Sequence, residues 1–194
     1  ASADGCEQVR PCTGSHPSAP VRTGSHQPAL SSRSMPPAAV WREPESKVRP
    51  MLASTTEVPL THPDFVYEPK YDGVRTLARV APGRPTPSVA LYSRVGNDKT
   101  AQFPAIVKAL QRFALKLRAP LLLDGEIVAL DDRGEPVGFQ KLQGRIHLRT
   151  VRAVDDTPSA FIAFDLLRDG PHDLRGLPLT ARRAALDRVF SNPG

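Results

Sequence analysis

The sequence predicts an α+β or mixed α/β protein whose sheets are mostly antiparallel and flanked by helices. Three observations carry this prediction: short runs of β-type residues, a turn that joins two of them into a hairpin, and one segment with helical spacing of apolar residues. The chain has 194 residues. Since domains commonly have roughly 100–150 residues, one domain with an appendage is expected.

The first part of the chain predicts a disordered segment. Residues 1–48 are rich in Pro, Ser and Gly and hold few large apolar side chains, so they cannot bury enough surface to offset the entropy of ordering. Cys6 and Cys12 form neither a disulfide framework nor a CxxC metal motif, and His16 and His26 match no tetrahedral zinc spacing. Residues 49–194 are assigned to one folded domain.

The chain is basic, with a formal net charge of +6 and an isoelectric point near 9.7. This balance suits a polyanionic partner such as nucleic acid, and it is equally compatible with an ordinary basic surface. The sequence contains no run of eighteen apolar residues and does not begin with a secretory signal pattern. We therefore expect a soluble, cytosolic protein without a membrane partner.

The first β-type runs lie at residues 65–68, 74–80 and 89–93. Between the last two, residues 81–85 read Ala-Pro-Gly-Arg-Pro, which is a turn by composition. An antiparallel hairpin is therefore predicted.

A helix and a further strand follow. Apolar residues recur at helical spacing from Ile106 to Leu117, and Pro104 is acceptable in the first turn of a helix. Residues 121–130 predict a strand that is interrupted by the polar residues 124–126, and residues 131–134 predict the turn after it.

The last elements are a buried strand and a closing helix. Residues 160–164 are apolar, as expected of a core strand. Thr180 is predicted to be the N-cap of a helix that continues through Leu186, Val189 and Phe190.

Four short motifs carry the functional prediction. Residues 68–75 read Glu-Pro-Lys-Tyr-Asp-Gly-Val-Arg, so a lysine stands where one strand ends and a glycine turn leads into the next. Further along are Ser-Arg-Val-Gly at 93–96, Asp-Gly-Glu at 124–126 and Phe-Asp-Leu-Leu at 164–167. Each alone is common in turns or core strands, whereas the four in this order are not.

In this order the motifs resemble those of the ATP-dependent DNA ligases, whose Lys-x-Asp-Gly signature also occurs in RNA ligases and mRNA-capping guanylyltransferases. Residues 49–53, Arg-Pro-Met-Leu-Ala, resemble the entry segment of ligase domains from bacterial end-joining proteins. This segment and the Phe-Asp-Leu-Leu strand favour a DNA ligase. The resemblance covers roughly residues 48–180 and implies an adenylation domain of the nucleotidyltransferase, ATP-grasp-like fold. It also implies a cytoplasmic, nucleoid-associated protein with nicked or broken double-stranded DNA and other end-joining repair proteins as partners.

By this resemblance Lys70 is the catalytic nucleophile that attacks the α-phosphorus of ATP and carries AMP. The attacking amine must be neutral, which partial burial and a nearby metal cation would favour. The carboxylate of Asp72 alone would favour the charged amine. This conflict suggests that Asp72 acts through a bound Mg²⁺ or Mn²⁺.

The resemblance also implies the nucleotide contacts. Glu68 would lie at the adenine, Phe164 would stack on it, and Arg75 and Arg94 would contact the nucleotide or the nick phosphate. Glu126 would hold the ribose hydroxyl or the metal. The structural alternatives are an exposed strand position for Glu68, solvated arginines and a core phenylalanine, whereas a carboxylate at Glu126 among apolar neighbours would be costly without a partner.

Later elements of a ligase adenylation domain, a glutamate-bearing element and a Lys-x-Lys strand, are not found after Phe164. The last glutamate is Glu135 and the last lysine is Lys141. A truncated adenylation domain is therefore expected, with slow or absent self-adenylation and no nick sealing. The alternatives are a non-catalytic nucleic-acid-binding or scaffold remnant, and an RNA ligase or capping-type enzyme.

Overall fold

The computed structural model describes residues 9–11, 38–51, 68–146 and 157–191. In chain order the elements are β1 (Val9–Pro11), β2 (Ala39–Val40), β3 (Val74–Ala81), β4 (Ser88–Ser93), α1 (Pro104–Ala114), β5 (Leu121–Leu130), β6 (Pro136–Val137), α2 (Gln143–Ile146), β7 (Ser159–Asp169), β8 (His172–Asp173) and α3 (Leu179–Ser191). Short 3-10 turns occur at Glu45–Lys47, Thr100–Gln102 and Phe139–Leu142.

The described strands form one sheet in the order β2-β8-β7-β5-β3-β4. Neighbours along this order are antiparallel, β6 adds to β5, and β1 runs parallel to β7. The predicted hairpin is confirmed, because β3 and β4 pair from Thr76↔Ser93 to Ala81↔Ser88. The mostly antiparallel α+β class is confirmed as well.

The main core lies between one face of the sheet and helices α1 and α3. Helix α1 begins at Pro104, as predicted, and buries Ile106 and Leu110 against the sheet. Helix α3 adds Leu186 and Val189 to the same apolar cluster. We call this cluster the helix-side core. The even-numbered residues of β5 point to the opposite face of the sheet. Two of them, Leu122 and Val128, each belong to a smaller apolar cluster on that face.

The predicted interruption of the strand at residues 124–126 is wrong, because β5 is continuous from Leu121 to Leu130. Polarity does not break the strand here, since Asp124 and Glu126 point to the face opposite the helix-side core. Gly125 is needed for close packing: a β-carbon at this position would lie 2.4 Å from the carbonyl oxygen of Ile162 and 2.6 Å from the Phe161 ring.

Residues 38–48, which composition places in the disordered segment, contain β2, which pairs with β8. Two guanidinium groups lie near the Trp41 ring, with the guanidinium carbons of Arg175 and Arg168 4.8 Å and 5.4 Å from the ring centre. Arg175 also binds Glu43 at 2.9 Å, and Val48 is buried. Cation–π contacts and ion pairs therefore connect this stretch to β7 and the segment after β8, although it lacks the apolar content for a core of its own.

Two smaller predictions need comment. Thr180 is not the N-cap, because α3 already begins at Leu179 and the carbonyl of Pro178 accepts bonds from the amides of Ala181 and Arg182. Residues 65–67 of the first predicted strand lie outside the described residues, and Glu68 itself is not in a strand.

Candidate active site

A cavity of about 540 Å³ lies on the sheet face opposite the helix-side core. Its size is typical of a site for a small molecule. It lies where β3, β5 and β7 carry polar residues between two apolar clusters. The described residues that line it come from separate parts of the chain: Met51, Glu68, Pro69, Lys70, Tyr71, Arg75, Glu126, Phe164, Asp165, Leu179 and Arg182.

The loop that carries Lys70 reaches the cavity because Gly73 packs directly on β5. A β-carbon at Gly73 would lie 2.2 Å from the carbonyl oxygen of Ile127, so no other residue type fits without a shift of the backbone. The amide of Gly73 donates a hydrogen bond to the carboxylate of Glu126. Lys70 is exposed to solvent while lining the cavity, in contrast to the partial burial expected for the nucleophile.

Arg75 and Asp124 form a two-pronged ion pair across β3 and β5. The Nε and Nη2 atoms of Arg75 donate to the two carboxylate oxygens at 2.6 and 2.9 Å, and Nη2 also donates to the carbonyl of Met51 at 3.3 Å. Asp124 is fully buried. Burial raises the pKa of Asp124 above its usual value, and the Arg75 guanidinium opposes that rise. Arg75 is thereby held with its guanidinium carbon 4.3 Å from the centre of the Phe164 ring.

Glu126 is the neighbour of Arg75 in the β3–β5 register. Burial raises the pKa of its carboxyl to about 7. The charge of Arg75 and the bond from Gly73 lower this pKa, whereas the nearby carboxylates of Asp124 and Asp72 raise it. The carboxyl of Glu126 therefore changes its protonation state near neutral pH.

The pairing of β5 with β7 contains a bulge at Phe164. Asp124 pairs with Asp165 and Gly125 with Ala163, so Phe164 has no partner on β5. Because one residue is extra, Ala163 and Leu166 both pack in the helix-side core, and Phe164 and Asp165 both line the cavity.

Helix α3 contributes two arginines that the sequence analysis did not identify. Arg182 binds Asp165 with three contacts of 2.8 to 3.1 Å, and both side chains are buried. Arg183 forms an ion pair with Glu68, which ties the start of the lysine loop to α3. The sequence did contain a signal for the pair of Arg182 with Asp165, since an aspartate in an apolar strand requires a partner.

Two predicted site residues do not line the cavity. Arg94 is exposed in the turn after β4, and this turn requires Gly96, whose φ is +87°. Asp72 is exposed and accepts a hydrogen bond from the amide of Phe139 at 3.1 Å, although its charge still acts on Glu126. Among the described residues, no three His, Cys, Asp or Glu side chains come together as a metal site.

The fold is of the nucleotidyltransferase type, and the comparisons with known proteins agree. Residues 50–194 match the family model of the ATP dependent DNA ligase domain. The chain therefore belongs to the ATP-dependent DNA ligase family. Between residues 9 and 191, no described helix has the length and apolar character needed to cross a membrane.

Several relatives are similar over most of this chain. DNA ligase C of Mycobacterium tuberculosis is 42% identical over 151 residues, which are 76% of this chain and 39% of that protein. The multifunctional non-homologous end joining protein LigD of Pseudomonas aeruginosa is 34% identical over 74% of this chain and 15% of its own length. This chain thus spans about two fifths of the first relative and less of the second.

Solved structures show the same fold. The ligase domain of M. tuberculosis LigD matches with a TM-score of 0.51 and 33% identity, over 64% of this chain and 36% of that one. Mycobacterial DNA ligase D complexed with ATP and MES matches with a TM-score of 0.52 at the same identity and coverage.

Proposed function

We propose that this chain binds ATP in the cavity and accepts AMP on the Nζ atom of Lys70, as the first step of sealing nicks or breaks in DNA. One observation carries the proposal: Lys70 lines the same cavity as Arg75, Glu126 and Phe164, which come from distant parts of the sequence. The similarity to a DNA ligase complexed with ATP supports ATP as the nucleotide.

The chemical step is an in-line displacement. The lone pair of the Lys70 amine forms a bond to the α-phosphorus. The bond from that phosphorus to the oxygen between the α- and β-phosphates breaks, and pyrophosphate leaves with that oxygen. The amine loses a proton, and water can accept it because Lys70 is exposed. The product is a lysine–AMP phosphoramide, whose AMP is available for transfer to a DNA 5′-phosphate.

The cavity walls suit the parts of the nucleotide. Arg75 covers one face of the Phe164 ring, so the adenine would stack on the other face. Glu68, oriented by Arg183, would accept a hydrogen bond from the exocyclic amine of adenine. Glu126 would accept one from a ribose hydroxyl, and Arg75 is placed to donate to the nucleotide.

A divalent cation would be held by Glu126, which lines the cavity, while the Asp72 carboxylate adds negative charge from outside the lining. Burial is the main cause of the raised pKa of Glu126, and the Asp72 carboxylate makes a smaller contribution; a bound cation would oppose both by favouring the charged carboxylate. Mg²⁺ commonly uses one or two carboxylates together with substrate phosphates, so a larger ligand cluster is not required. Such an ion, Mg²⁺ or Mn²⁺, withdraws negative charge from the phosphates when it is bound.

Labelling with ATP that carries ³²P at the α-phosphate tests the proposal. After prolonged incubation and denaturing electrophoresis, we expect slow labelling of the wild-type chain and of Lys108→Ala, whose lysine is exposed on α1. Lys70→Ala should carry no label. EDTA should abolish the labelling of the wild-type chain and of Lys108→Ala. Label that survives Lys70→Ala would refute the nucleophile. GTP labelling the chain better than ATP would instead indicate a capping-type enzyme.

We propose nicked or broken double-stranded DNA as the second substrate, with end-joining repair proteins as partners and a place in the bacterial cytoplasm near the nucleoid. The name of the P. aeruginosa relative and the net charge of +6 support this. Arg94, exposed and outside the cavity lining, suits a DNA phosphate better than the nucleotide.

The DNA contact is tested by binding to a nicked duplex at several salt concentrations. Arg94→Gln should lower the affinity and reduce the slope against log salt by about one. The control is Arg112→Gln, on the exposed side of α1, which should leave the slope unchanged. Equal slopes for Arg94→Gln and wild type would rule out this phosphate contact.

A further inference from the structure

Two buried aspartates face each other on neighbouring strands beside the cavity. Asp124 on β5 pairs in register with Asp165 on β7. Each is bound by its own arginine through a two-pronged contact, Asp124 by Arg75 and Asp165 by Arg182. Because the two carboxylates would otherwise repel each other in a poorly solvated place, each arginine stabilises the aspartate that it binds.

Asp165 is also the residue that follows the bulge. Its Oδ1 atom accepts a bond from the amide of Leu166 at 2.8 Å, and Arg182 holds the same oxygen at 2.8 Å. Arg182 in turn donates to the carbonyl of Leu177 at 2.6 Å, just before α3. The backbone on the C-terminal side of Phe164 is thus connected to the start of α3 through one guanidinium group.

The geometry points to Arg182 as a positioning residue for Phe164. An extra residue in a strand has no ladder bonds to hold it, so its orientation depends on the contacts at its sides. One side is Arg75 over the ring, and the other is the Arg182–Asp165 pair at the next residue. Arg182 therefore sets the angle at which the Phe164 ring meets a base.

This inference rests on the proposed function, because it requires that Phe164 stacks on adenine. It also makes a specific claim about chemistry: the planar fork of arginine, and not its charge alone, is what positions the ring. A lysine at position 182 keeps the positive charge but cannot make the two-pronged contact with Asp165.

The test is a double-mutant cycle on nucleotide affinity, measured by titration calorimetry with an ATP analogue whose α,β-bridge is a methylene group. This analogue cannot transfer AMP, so binding is measured alone. The variants are Phe164→Leu, Arg182→Lys and both together. Arg188→Lys is the matched control, since Arg188 is on the same helix and pairs with Asp169 at the exposed surface. Should Arg182→Lys unfold, Arg182→Met combined with Asp165→Leu replaces it as an apolar pair.

We expect Phe164→Leu to lower the affinity roughly fivefold or more, the scale of base–aromatic stacking. Arg182→Lys should lower it at least about twofold in the wild-type background and have no effect once Phe164 is leucine, since coupled residues are not additive. A purely structural role would give the same loss in both backgrounds, and that result would overturn the inference.

Failure of the proposed nucleotide site and failure of the positioning role of Arg182 give different results. If the wild-type chain does not bind the analogue, or if Phe164→Leu binds it equally well, the proposed nucleotide site is wrong and this inference falls with it. If Phe164→Leu weakens binding while Arg182→Lys behaves like Arg188→Lys, only the positioning role is wrong.

Discussion

Replacement of Glu126 by glutamine should change how the stability of the chain depends on pH. The pKa of this carboxyl is raised from 4.5 to about 7 by burial, so the folded state binds a proton more tightly than the unfolded state. The stabilisation that this proton provides is complete below pH 4.5 and is lost as the pH rises through 7. A carboxamide at position 126 does not titrate, and its stability should lack this decline.

The size of the effect follows from the two pKa values. At about 1.4 kcal/mol for each pH unit, the change from 4.5 to about 7 corresponds to about 3.4 kcal/mol. Because Glu126 is only half-buried and partly screened by water, we expect about 1–2 kcal/mol of it to appear. The free energy of unfolding of Glu126→Gln minus that of the wild type should therefore increase by about 1–2 kcal/mol when the pH is raised from 5 to 8.

Urea unfolding at pH 5, 6, 7 and 8, with EDTA and without nucleotide, measures this difference. Glu135→Gln is the control, since Glu135 is exposed in the turn after β5, and its difference from wild type should be nearly constant with pH. If the free energy of unfolding changes with pH in the same way for Glu126→Gln and wild type from pH 5 to pH 8, the carboxyl of Glu126 does not have a raised pKa and the reasoning fails.

Three further predictions concern stability and are measured by thermal and urea unfolding. Asp124→Asn should destabilise the fold by roughly 3–5 kcal/mol, because it leaves the Arg75 guanidinium without its buried carboxylate; a loss below 1 kcal/mol would show that the pair is not buried in solution. Gly125→Ala should cost about 1–3 kcal/mol, since its β-carbon meets the Ile162 carbonyl, while Gly176→Ala, which meets nothing within 4 Å, should be tolerated. Leu110→Ala in α1 should cost about 2–5 kcal/mol through the cavity it leaves, and a neutral result would place that helix off the sheet.

The parts of the fold that sequence predicts well are those with a local cause. The spacing of apolar residues from Ile106 onwards is sufficient to define α1, and the Pro- and Gly-rich turn at 81–85 is sufficient to define the hairpin. Three of the four motifs contribute residues to one cavity. In each case the residues that determine the structure are close together in the chain.

What sequence reasoning missed depends on residues that are far apart. The pair of Arg182 with Asp165 and the pair of Arg183 with Glu68 require knowing that α3 begins beside the cavity. The bulge at Phe164 is a mismatch between two strands, so no single segment contains it. The contacts of Trp41 are of the same kind, since the two arginines near its ring are more than a hundred positions away.

The roles of Asp72 and Arg94 illustrate the limit of motif reasoning. Both stand at the expected positions in their motifs, but the structure places both on the exposed surface and outside the cavity lining. A motif therefore predicts which loop a residue belongs to, whereas its exposure and its partners depend on neighbouring elements such as the turn at Phe139.

Peptide mapping by mass spectrometry, after incubation of the wild-type chain with ATP and Mg²⁺ at alkaline pH, tests the central claim most directly. We predict one modified peptide, carrying a single AMP at Lys70, with the phosphoramide released by acid as expected of a P–N bond. AMP attached to a side chain other than that of Lys70 would contradict the account.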